Sequence, residues 1–85
     1  MDKIKKLNIL GFHYNPTMIS EMNSVYYDND ENEDDWIEII PDSLVDDSYV
    51  VIIVVDGVNK KVFAFDGDNE QLEKLLSELL KEVYA

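Results

Sequence analysis

Apolar positions along this chain change period once, and the change divides it into a strand-rich part and a helix. Tyr49 to Val55 is an unbroken apolar run rich in β-branched residues. Such a run predicts a strand buried on both faces or nearly so, and hence central in a sheet. Asp56-Gly57 and Asn59 then supply turn chemistry, and Lys61-Val62-Phe63-Ala64-Phe65 alternates as an antiparallel hairpin partner does. Upstream, Val25-Tyr26-Tyr27 and Trp36 to Ile40 flank a connection, Asp28 to Asp35, that has no apolar residue. This reads as a second hairpin with an exposed loop. Ile4 to Tyr14 alternates loosely and predicts a first strand, which Asn15-Pro16 breaks. Thr17 is placed to cap one helical turn through Met18, Ile19 and Met22. Pro41 ends the strand before it, and Asp42 to Asp47 forms a polar connection whose Leu44 and Val45 are expected to tuck against the core.

From Leu72 the spacing becomes helical. Leu72, Leu75, Leu76, Leu79, Leu80 and Val83 make one stripe, and Glu73, Lys74, Ser77, Glu78, Lys81 and Glu82 take the other face. Asp68, three residues before Gln71, approximates a capping box at the start. The predicted architecture is α+β: a four- or five-stranded, mainly antiparallel sheet with one C-terminal amphipathic helix packed on one face, residues 1–85 forming a single domain.

Composition changes this picture little. With 46% hydrophobic residues in a chain of 85, a modest core is expected, and the absence of cysteine leaves packing to hold it and suits a reducing cytoplasm. The longest apolar run is far short of the roughly 20 residues that span a bilayer as a helix. The lysines near the start precede no signal-peptide core, so a cytoplasmic protein is expected.

Charge changes the picture a great deal. No lysine or arginine occurs between Leu7 and Asn59, while that stretch holds Glu21, Asp28, Asp30, Glu31, Glu33, Asp34, Asp35, Glu38, Asp42, Asp46, Asp47 and Asp56. The flanks hold as many lysines as acids, so the net charge of -12 belongs to the middle. A field of one sign draws cationic surfaces in and keeps nucleic acid and anionic membranes away.

Candidate chemistry is sparse. Asp28, Asp30 and Asn32 fall at the first three ligand positions of an EF-hand loop, but Glu33 replaces its glycine and Ile39 its closing acid. Asp66, Asp68 and Glu70 make a second near-match, better explained as a turn and helix cap. His13 is the only histidine and has no nucleophile pattern beside it. There is no Gly-rich phosphate loop and no arginine. No enzyme, metal or cofactor is expected.

Binding remains. The candidate contact residues are Asp28, Asp30, Glu31, Glu33, Asp34, Asp35, Glu38, Asp42, Asp46 and Asp47, with Tyr26, Tyr27 and Trp36 as amphipathic aromatics beside them. Carboxylates two apart on a strand lie about 6.8 Å from each other on one face, and DNA offers a comparable ladder of one phosphate per ~3.4 Å on each strand. In size and charge the chain is similar to small phage and mobile-element proteins that disarm host nucleases, restriction enzymes, CRISPR effectors or repair glycosylases. The leading expectation is therefore a DNA-mimicking inhibitor of a basic nucleic-acid-binding protein, acting in the host cytoplasm if phage-encoded. The alternative is an antitoxin, immunity protein or small acidic subunit that meets a basic protein through an apolar patch.

Overall fold

Five strands follow one another across a single sheet in the order they occur in the chain: β1 (Phe12–Asn15), β2 (Val25–Asn29), β3 (Trp36–Pro41), β4 (Ser48–Val55) and β5 (Val58–Asp66). Every neighbouring pair is antiparallel. The helix α1 (Asn69–Val83) comes last. The structure is a computed structural model that describes residues 2–18, 20 and 22–85.

Alternation decides the faces. Val25 and Tyr27, Ile37 and Ile39, and Tyr49, Val51, Ile53 and Val55 point to one side, where they form a core cluster with Leu72, Leu76 and Leu80 of α1. The helix starts where the sequence places it. Asp68 Oδ1 accepts the Gln71 amide at 2.9 Å, and Gln71 Oε1 accepts the Asp68 amide at 3.0 Å, a complete capping box. The β4–β5 turn also follows its residues: Asp56 and Gly57 both have positive φ, 54° and 75°, as a two-residue hairpin turn of the right twist requires.

Three expectations are corrected. The first strand covers only Phe12–Asn15, and Ile4, Leu7 and Ile9 lie before it. They enter the core from a 3-10 helix (Asp2–Lys5) and an irregular segment after it. Side chains satisfy the backbone there: Tyr27 Oη donates to the Ile4 carbonyl at 2.6 Å and accepts from the Leu7 amide at 2.9 Å, and Glu73 accepts from the Asn8 amide at 2.8 Å.

The long apolar run, second, is an interior strand paired on both sides, but not the middle one. That place belongs to β3, while β4 lies beside the edge strand β5. The outer face of β4 is only partly covered: Val54 is 3% exposed but Val50 is 40% exposed.

Third, Leu44 and Val45 stay in solvent, at 92% and 55% exposure. Asp42 Oδ1 accepts both of their amides, at 2.8 and 3.2 Å, and this local turn carries them outward. The helical turn expected through Met18, Ile19 and Met22 lies partly outside the described residues. Within them, Asn15 Oδ1 accepts the Thr17 amide and hydroxyl. No helix among the described residues is long and apolar enough to cross a membrane.

Candidate functional site

An antiparallel meander places alternate connections at the same end of the sheet. The acidic β2–β3 loop therefore shares its end with the β4–β5 turn, the Gly11 segment before β1 and the C-terminus of α1.

Asparagines shape this loop. Asn29 Oδ1 accepts the amides of Glu31 and Asn32 at 2.9 and 3.0 Å, and Asn32 Oδ1 accepts that of Asp34 at 3.0 Å. The Asp30 amide donates to the Gly11 carbonyl at 2.8 Å, and the Asn29 amide to the Asp35 carbonyl at 3.0 Å. With the backbone so engaged, Glu31, Glu33 and Asp34 are exposed, as is Asp30, which His13 also contacts.

Asp35 behaves differently. It is 3% exposed, and its carboxylate accepts from the Asp56 amide at 2.9 Å and from the Tyr84 hydroxyl at 2.6 Å. The Gly57 amide donates to the Asp34 carbonyl at 2.9 Å. Loop, turn and helix end are thereby locked together. Burial, and next the bond to Asp35, push the Tyr84 phenol well above its ordinary value. Asp56 is exposed in the turn beside the loop and joins the same acidic end. The C-terminal end of the α1 dipole adds partial negative charge there.

The other predicted contact residues are dispersed. Asp28 lies half-buried on the outer face and accepts from Asn15 Nδ2 at 2.7 Å. His13, its cross-strand neighbour, bonds Asp30 through Nδ1 at 2.7 Å. Tyr26 donates to Glu38 Oε2 at 3.1 Å, and burial followed by that bond raises its phenol. Trp36 and Glu38 are half-buried on the same outer face. Asp42, Asp46 and Asp47 sit at the opposite end of the sheet, about 20 Å away along β3. There Asp42 caps its loop and Asp47 pairs with Lys3.

Two candidates are corrected outright. Tyr27 is 1% exposed because the register places it on the core face, and Asp35 is turned inward by its two hydrogen bonds. Neither can touch a partner. The charge also divides between two ends, where the sequence suggested one surface. Of the EF-hand-like set, Asp28, Asp30 and Asn32 bond to Asn15, His13 and the Asp34 amide respectively. Among the described residues no group of three acidic or histidine side chains converges as a metal site would require.

No protein-family model, curated protein or solved structure matches this chain.

Sequence reasoning passed over Asp56 and Leu10. Leu10 is 99% exposed at the same end, beside a groove of about 420 Å³ lined by Phe12, Glu31, Asn32, Leu80 and Tyr84 among others. A meander puts the β4–β5 turn at the end that carries the β2–β3 loop, so Asp56 was findable from topology alone. Leu10 carried no such signal, because an apolar residue in a loose alternation reads as core.

Proposed function

We propose that this protein is a small stoichiometric inhibitor that occupies the cationic, nucleic-acid-binding surface of a basic protein, as a DNA mimic of the anti-restriction, anti-CRISPR or nuclease-inhibitor kind. It would act in the cytoplasm, the host's where a phage or mobile element encodes it.

The observation that carries this reading is the acidic end. Asp30, Glu31, Glu33, Asp34 and Asp56 stand out from a backbone that Asn29, Asn32 and Asp35 hold in place. Anionic groups presented on a prearranged frame lose little conformational entropy on docking, so more of the electrostatic attraction is retained as affinity. The cost of crowding them is repulsion, which a cationic partner relieves.

The test begins with capture of a target from a bacterial lysate at low salt, followed by competition with duplex DNA. Mutually exclusive binding, with affinity falling steeply as salt rises, is the expected result. A ternary complex of target, DNA and this protein would overturn the reading. The apolar-patch alternative is favoured by a different observation, the open outer face of the sheet.

A further inference from the structure

A sheet with one face on a core and the other in water alternates apolar with polar residues, and β4 does not. Its outward row is Val50, Ile52 and Val54. The register continues this row into both neighbours: Ile40 and Ala64 flank Val50, and Val62 stands opposite Ile52. Trp36 faces Val54 from β3. Among the described residues no element covers this surface as α1 covers the other, and Val50 and Val62 are 40% and 60% exposed. At its lower corner Ile40, Pro41, Asp42, Val50 and Ala64 help to line a hollow of about 220 Å³, a socket with a carboxylate at its rim.

The border has one predominant sign. Asp28 and Glu38 flank the apolar centre on one side, and Asp42 and Asp66 close its lower end. The exception is Lys60, two residues before Val62 at the irregularity between β4 and β5, which brings one cation to the other end. An apolar strip edged with carboxylates is complementary to an apolar strip edged with cations. A second copy of this chain is a poor fit, because each copy brings a net charge of -12.

We propose that the open face of the sheet holds a basic amphipathic helix of a partner protein. Its apolar stripe lies across Val50, Ile52 and Val62, and its lysines or arginines reach Glu38, Asp42 and Asp66. From β2 to β5 the face spans three strand spacings, about 14 Å, which roughly three helical turns cover. The result is a helix–sheet–helix sandwich completed in trans. This inference rests on a basic protein being the partner, but not on displacement of nucleic acid.

Trp36 is the chain's only tryptophan and lies on the face in question, so its fluorescence reports occupancy. The probe is a synthetic helical peptide of about 14 residues with a leucine stripe and lysines elsewhere, compared with a scrambled isomer and with oligolysine. The expected result is a saturable one-to-one change in emission, with the amphipathic peptide at least about tenfold tighter than either control. Val50→Thr with Val62→Thr keeps β-branched shape at exposed positions and should weaken binding about fivefold or more. Should the double variant fold poorly, Val62→Thr alone, on the edge strand, makes the same comparison. Glu31→Gln, Glu33→Gln and Asp34→Asn together should alter the affinity less than about threefold at about 0.15 M salt.

Equal binding of the scrambled peptide, or affinity unmoved by the threonine variants, would overturn the proposal. So would a monomer–dimer equilibrium abolished by Val62→Thr, which would place a second copy on the face. Because the assay contains no nucleic acid, its failure leaves the DNA-competition test standing, and the reverse also holds.

Discussion

Tyr84, the residue that follows α1, donates its hydroxyl to a carboxylate oxygen of Asp35 at 2.6 Å. One bond thus joins the last turn of the chain to the acidic loop and, through the other oxygen of Asp35, to the Asp56 amide. Removing the hydroxyl with Tyr84→Phe should cost about 1–2 kcal/mol, and Asp35→Ala, which strands two donors, about 2–3 kcal/mol. Urea unfolding measures both. The loss should be accompanied by faster hydrogen exchange at Asp56, and unchanged exchange there would show that the bond does not hold the turn.

Stability should fall at alkaline pH. Burial raises the phenols of Tyr27 and Tyr49 above the usual 10.0, as it does those of Tyr26 and Tyr84. Between the unfolded and folded values the native state holds more protons than the unfolded one, so its advantage is complete below pH about 10 and shrinks as pH rises beyond it. Melting temperatures from pH about 8 to 12 should show a plateau and then a decline. The decline should be shallower in Tyr84→Phe, and an identical slope would assign the effect elsewhere.

A side chain at Gly67 would be strained. Its φ is 150°, and a Cβ built there would lie 2.5 Å from Gln71 Oε1 and 3.0 Å from the Phe65 ring. Gly67→Ala should therefore disturb the capping box and destabilise by about 1–3 kcal/mol. Calorimetry would show the loss, and the first turn of α1 should exchange faster.

Moderate salt should stabilise the isolated protein. Ion pairs such as Lys3–Asp47 and Lys61–Glu82 are solvent-exposed and contribute little, whereas the uncompensated acids of the middle repel one another over a Debye length of ~8 Å. The melting temperature is expected to rise between about 0.02 and 0.3 M salt. A fall would mean that the exposed pairs outweigh the repulsion.

Where local rules and burial agreed, the fold was legible before any coordinates. The Asp56-Gly57 turn, the Asp68/Gln71 cap and the leucine stripe of α1 each follow from a few neighbouring residues. The N-terminal segment did not, because Ile4, Leu7 and Ile9 join a core cluster built by strands and a helix distant in sequence, with Tyr27 satisfying the backbone at Ile4 and Leu7. The same contrast runs through the candidate site. Loop exposure could be read from composition, but the inward turn of Asp35 depends on Tyr84, which no pattern around residue 35 announces. Tyr27 was misjudged for a simpler reason: two adjacent tyrosines must face opposite sides of a strand, and composition does not say which.

The chain-order arrangement of the strands bears on how the molecule assembles. Each strand pairs with the one just before it, so hairpins can close over short loops and the sheet can grow rapidly without waiting for distant segments. The core face, however, gains Leu72, Leu76 and Leu80 only when α1 docks at the end. During synthesis the strands precede α1, and Val51 and Ile53 lack their helical cover until it has left the ribosome. Docking of the helix covers this apolar face, the kind of surface through which incompletely folded chains associate.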